Sequence, residues 1–86
     1  SFYSYMITDK NKYKPGETVR FKSYALSGNR RPLKQELSLW MRTKGDLFKK
    51  ILTLPPYHPG GFAGEFQLDD SLKLELDRLY VINGDG

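Results

Sequence analysis

The stretch TDKNKYKPGETVRF, residues 8–21, falls into two halves that obey different rules. The first half is crowded with turn-forming and charged residues, and from Thr18 onward the chain alternates. Pro15 fixes its own φ and pushes Lys14 out of the helical region, while Gly16 can take a positive φ. Lys14-Pro15-Gly16-Glu17 therefore fits a type II turn, which wants Pro at its second position and Gly at its third. A strand follows over residues 18–26 (TVRFKSYAL). Val19, Phe21, Ser23 and Ala25 point one way, and Arg20, Lys22, Tyr24 and Leu26 the other. The first set is smaller and more apolar, which assigns it to the core.

The same period recurs outward from this corner. Residues 2–8 (FYSYMIT) are β-branched and aromatic and read as the preceding strand. Residues 27–32 (SGNRRP) form a loop. Residues 36–43 (ELSLWMRT) alternate most cleanly, with Leu37, Leu39 and Met41 expected inward and Ser38, Trp40 and Arg42 outward. Lys44-Gly45-Asp46 turns the chain into residues 47–54 (LFKKILTL), where the break at Lys49-Lys50 marks a bulge or an edge. Residues 55–61 (PPYHPGG), with three prolines and two glycines, exclude regular structure. Phe62, Gly64, Phe66 and Leu68 share one face of a strand at 62–68. Residues 69–77 fit either a helical or an alternating pattern and read as a connection into a last strand at 78–83 (RLYVIN). Six short strands at roughly ten-residue spacing predict an all-β sandwich or barrel in one domain, residues 1–86. Asn83-Gly84-Asp85-Gly86 is a hairpin-turn signal. It predicts a seventh strand beyond Gly86, and an unpaired edge without it that could lead to a strand-swapped dimer.

Composition narrows the function classes. A chain of 86 residues has room for one modest core. With 38% hydrophobic and 14% aromatic residues it is too apolar to be disordered. It has no cysteine, which removes disulfides, zinc–thiolate sites and thiol nucleophiles. No apolar run approaches the ~18–20 residues of a membrane span, so no direct membrane insertion is expected. Residues 1–5 lack the basic start and apolar run of a signal peptide. The chain opens mid-strand in character, so any targeting signal is expected to precede it. The net charge of +4 comes from 14 basic and 10 acidic residues. Arg30-Arg31 and Lys49-Lys50 are its only adjacent basic pairs, and this scatter points away from nucleic acid.

The corner also carries a resemblance. Thr8-Asp9-Lys10 followed by Tyr13-Lys14-Pro15-Gly16-Glu17-Thr18-Val19-Arg20-Phe21 resembles the opening T-D-(K/R)-x-x-Y-(K/R)-P-G-(E/Q)-T-V of a macroglobulin (MG2-type) domain of the α2-macroglobulin family. Gly61-Phe62-Ala63-Gly64-Glu65-Phe66-Gln67-Leu68 resembles that family's G-x-(F/Y)-x-G-x-F-x-L strand. Asp77-Arg78-Leu79-Tyr80 keeps the tyrosine of the family's late strand start and lacks its glycine. The resemblance spans nearly the whole chain. It implies a fibronectin-III/immunoglobulin-like β-sandwich of seven strands. It also implies a place as one domain of a long exported protein, extracellular or in the periplasm or cell envelope, whose partners are the neighbouring macroglobulin-like domains and, indirectly, a target protease. The family's thioester motif C-G-E-Q is missing here, so that reaction is not carried by this chain. The lack of cysteine and of N-x-S/T sequons fits a bacterial member.

Single residues with chemical potential are each weighed against a plainer role. His58 lies in the proline-rich loop without further ligands or a partnered base, and reads as an exposed loop residue. Asp69, Asp70 and Asp77 do not have EF-hand spacing, and Asp69, Asp70 and Ser71 read as a turn. Nothing places Glu65 and Glu75 across a cleft as an acid/base pair. Gly60-Gly61-Phe62-Ala63-Gly64 lacks the lysine and helix of a phosphate loop. No catalytic, cofactor or metal residue is assigned. Trp40, beside Arg42, is the candidate interdomain contact. Three readings of it stand: a loop folds over it, it meets a neighbouring domain, or it joins Tyr24 and Tyr57 in a sugar-stacking platform. The expected function is a non-enzymatic structural module that positions neighbouring domains of a protease-trapping protein. The alternative is a carbohydrate- or ligand-binding module of a cell-surface protein. An aromatic OB-type nucleic-acid binder and an enzyme rank behind both.

Overall fold

The computed structural model describes residues 3–43, 47–68 and 79–83. They form six strands: β1 (Tyr3–Thr8), β2 (Thr18–Leu26), β3 (Leu37–Thr43), β4 (Leu47–Leu54), β5 (Gly61–Gln67) and β6 (Leu79–Asn83). No helix occurs among the described residues. All pairings are antiparallel and fall into two three-stranded sheets, β1-β2-β5 and β4-β3-β6. The expected strands are all present, with small shifts: β3 begins at Leu37, and β5 runs one residue earlier than the alternation suggested. Residues 69–77 lie outside the described residues, as do Phe2 and Lys44-Gly45-Asp46.

Strand β2 is central in its sheet and obeys its pattern. Val19, Phe21, Ser23 and Ala25 are buried, while Arg20, Lys22 and Tyr24 between them are exposed. Ser23 has a use for its hydroxyl there, donating to the Tyr5 carbonyl at 2.9 Å. The two sheets share one core. Ala25 and Phe62 from the first sheet meet Leu37 and Leu54 from the second, with Leu33 of the β2–β3 loop filling in. At the other end Val19 and Phe66 meet Met41 and Ile51, closed by Leu68 and Tyr13.

Strand β4 reaches the core in regular register at Leu54 and through a bulge at Ile51. Leu52 stands opposite Leu39, but Lys50 stands opposite Trp40, so Ile51 has no partner on β3. In an unshifted ladder Ile51 would share the outer face with Trp40. The extra residue lets Ile51 turn into the core while Lys50 moves outward, its ammonium 5.3 Å from the Trp40 ring centroid. The Lys49-Lys50 break thus marks both a bulge and an edge.

One degree of burial differs from expectation. Ser38 was placed outward and is fully buried. It is a short side chain on the central strand of its sheet, flanked by paired strands on both sides, and its Oγ lies 2.8 Å from Thr53 Oγ1 on β4. The hydroxyl pair satisfies itself, so the taller neighbours cover it at little cost.

Phe62 has no exposed surface and touches both sheets through its cluster. Truncation at such a site leaves a cavity as well as lost apolar burial. Phe62→Ala is expected to lower unfolding free energy by about 3–5 kcal/mol. Tyr5→Ser, on the exposed face of β1, should cost under about 1 kcal/mol. Urea denaturation followed by circular dichroism measures both.

Candidate functional site

The corner between β1 and β2 is the densest polar cluster among the described residues. The Glu17 N–H donates to the Lys14 carbonyl at 3.1 Å, and Gly16 has φ of 87°. This is the expected type II turn, and its third residue needs the left-handed conformation that glycine adopts freely. Asp9 extends the ladder by one step. Its N–H donates to the Arg20 carbonyl at 3.0 Å, and its Oδ1 accepts from the Arg20 N–H at 3.2 Å. The Tyr13 hydroxyl donates to the same Oδ1 and accepts from the Lys10 N–H at 2.9 Å. Lys10 reaches Glu17 Oε2 at 2.6 Å, while Glu17 Oε1 accepts from the Lys14 N–H at 2.5 Å. The corner is also tied to the end of β5: Gly16 N–H to the Leu68 carbonyl, and Leu68 N–H to the Glu17 carbonyl, both 2.8 Å.

These contacts set the charges. The Tyr13 hydroxyl, helped by the Arg20 amide, holds the Asp9 carboxyl below its ordinary range despite some desolvation. The bond from Lys10, then that from the Lys14 amide, does the same for Glu17, and Glu17 in turn raises Lys10. Both oxygens of Glu17 and the bonded oxygen of Asp9 are committed to holding the chain's reversal. The arrangement builds a corner and presents no partnered nucleophile or acid–base pair.

The other candidate residues are dispersed. Trp40 lies on the outer face of β3, half-buried, with Lys50 over its ring. Its Nε1 is buried and finds no acceptor among the described residues. Arg42 stands opposite Phe48 in the ladder, and its side chain is outside the described residues. Trp40 sits in one sheet, whereas Tyr24 and Tyr57 sit on the far face of the other, so the three do not form one platform. His58 is exposed, its Nδ1 3.0 Å from the Pro59 carbonyl and its ring edge-on to Tyr57. Glu65 faces solvent 3.8 Å from Arg20. Asp69, Asp70, Ser71, Glu75 and Asp77 lie outside the described residues. Among the described residues no group of three His, Asp or Glu side chains could hold a metal ion, and no helix is long and apolar enough to cross a membrane.

On β1 the large side chains Tyr3, Tyr5 and Ile7 face solvent, and Ser4, Met6 and Thr8 take the other face. Tyr24 stands directly opposite Tyr5, with ring centroids 6.3 Å apart. Tyr24 also stands opposite Gly61, where a β-carbon would lie 2.8 Å from the Tyr57 ring and 2.6 Å from that of His58. The glycine leaves the space that the loop aromatics occupy. The signal was in the sequence as Y-x-Y-x-I, but it needed the sheet to say which face is outside.

The corner makes stability depend on pH in a defined way. Asp9 and Glu17 have depressed folded-state values, so their contribution is present above the ordinary carboxylate range, about pH 4, and is lost as pH falls through the folded values. Lys10 is raised, so its contribution is present below about pH 10.4 and is lost as pH rises through the folded value. A plateau between these limits is expected in urea midpoints, with a fall on the acid side that is shallower in Tyr13→Phe than in the parent chain.

Comparison of the chain with protein-family models, with curated proteins and with solved structures finds no match in any of the three.

Proposed function

We propose that the chain is a non-catalytic structural module, a fibronectin-III/immunoglobulin-like β-sandwich of the macroglobulin type, that positions neighbouring domains in an exported α2-macroglobulin-like protein. The observation that carries this reading is the corner. Asp9, Lys10, Tyr13, Pro15, Gly16 and Glu17, the positions of the resemblance, are each engaged in the turn or in bonds to one another. The motif is used up in construction, as expected of a family signature that marks architecture rather than chemistry.

Strand order supports the same reading. Labelled as an immunoglobulin-type plan, β1, β2 and β5 correspond to A, B and E, and β4, β3 and β6 to C′, C and F. Strand G of that plan pairs with the outer edge of F. Among the described residues the corresponding edge of β6 has no partner. A module of this kind acts through its surfaces, and Trp40 on the outer face of the second sheet, with Arg42 two residues on in β3, is the contact we assign to a neighbouring domain.

Trp40 is the only tryptophan of the chain, which gives the proposal a direct probe. Acrylamide quenching of Trp40 is compared between the isolated chain and the longer protein encoded by its reading frame, with the tryptophans of other domains replaced by phenylalanine. The expected result is sandwich-sized domains on either side and lower quenching in the longer protein. Equal quenching would remove the assigned contact, and a reading frame that closes within a few residues of Gly86 would remove the module reading itself.

A further inference from the structure

The outer face of the β1-β2-β5 sheet is unusual for a solvated surface. Tyr3, Tyr5, Ile7 and Tyr57 are between 53% and 65% exposed, and Tyr24 is 36% exposed. They are contiguous: Tyr3 and Ile7 flank Tyr5 on one face of β1, Tyr5 meets Tyr24, and Tyr24 borders the glycine that Tyr57 covers. At ~150–250 Å² per large side chain, the exposed portions sum to roughly 400–700 Å². Patches of that size on a small protein are often functional.

Positive charge surrounds the rings. The Arg30 guanidinium lies 5.4 Å from the Tyr3 ring centroid. Its residue is held at φ of 64°, a conformation that favours glycine, by a loop in which Arg30 N–H donates to the Ser27 carbonyl and Ser27 N–H to the Arg31 carbonyl, both 2.8 Å. Lys22 is exposed on β2 between Ile7 and Ala63 in the ladder. Neither cation has an ion-pair partner among the described residues. Arg20 meets Glu65, the one carboxylate at an outward position of these three strands.

We propose that this face is a protein-docking surface whose partner presents acidic side chains. Tyrosine and arginine are the residue types over-represented among energetically dominant interface positions, and unpaired cations select an acidic partner. The rings do not form the flat platform that a sugar or base would stack on: Tyr5 and Tyr24 are inclined by 39°, and Tyr57 and His58 by 71°. A second copy of the chain meeting this face through a two-fold axis would set like charges against each other. The proposal is independent of the family reading and concerns the sheet opposite to Trp40.

The test is selection of a random dodecapeptide phage library on the immobilised chain, followed by affinity measurements with the selected peptides in synthetic form. The proposal expects enrichment of net-acidic peptides. Their affinity should fall about tenfold or more in Tyr5→Ser, Tyr57→Ser and Lys22→Glu, and stay unchanged in Lys50→Glu on the other sheet. Circular dichroism checks each variant, and Lys22→Glu, at an exposed position, decides the matter should a tyrosine variant unfold. Recovery of no peptides, of peptides without net acidity, or of peptides indifferent to these substitutions overturns the proposal. So does concentration-dependent dimerisation in light scattering that Tyr5→Ser abolishes, which would identify a second copy as the occupant. Stoichiometric binding of single-stranded DNA or of a neutral oligosaccharide that Tyr5→Ser abolishes would overturn it as well.

Discussion

Strand β2 pairs on both sides, and its phase is set by the four residues in front of it. With Gly16 at φ 87° and the Glu17 N–H closed onto Lys14, the chain enters β2 so that Val19 is its first buried side chain. A slip of one residue would send Arg20, Lys22 and Tyr24 to the core and Phe21 to solvent. The corner prevents this twice over. Asp9 binds the Arg20 amide on one side, and the Gly16 and Glu17 backbone groups bind Leu68 at the end of β5 on the other. Both neighbours of β2 are therefore registered against the same turn, and the core clusters that join the two sheets follow from that registration.

The alternation of residues 18–26 and 36–43 was legible because each of these strands has one face on a shared core. The turn was legible because proline and glycine restrict φ in ways that do not depend on tertiary context. The bulge was visible as a break in period at Lys49-Lys50, although only pairing with β3 showed that its effect is to bring Ile51 inward. Ser38 is buried on the outward face that alternation gives it, because alternation reports direction and not coverage: a short side chain between two strands is covered by its neighbours. The tyrosine-rich face of β1 escaped for a related reason. Apolar periodicity is ordinarily read as marking the inside, and here the larger side chains of an edge strand mark the outside.

The site assignments were less legible. Alternation places Trp40 off the core, but its half-buried setting under Lys50 comes from the bulge on the adjacent strand. Tyr57 lies over Gly61, the ladder partner of Tyr24, a contact between a proline-rich loop and a strand that no period in the sequence encodes. The two outer faces consequently differ in character. One carries Trp40 with Lys50 over its ring, and the other carries four tyrosines bordered by Arg30 and Lys22, which have no carboxylate partner among the described residues.

The turn at Gly16 sets the register of β2, and chemical synthesis tests this with one pair of variants. Gly16→Ala in the L form must bear the left-handed conformation at a cost of about 1–2 kcal/mol, whereas D-alanine adopts it without strain and narrows the unfolded ensemble. Urea unfolding of the two variants should therefore separate, with the L form clearly below the parent chain and the D form at or above it. Equal stability of the two would mean that Gly16 does not hold a left-handed conformation in the folded protein, and the corner would then not be what fixes the phase of β2.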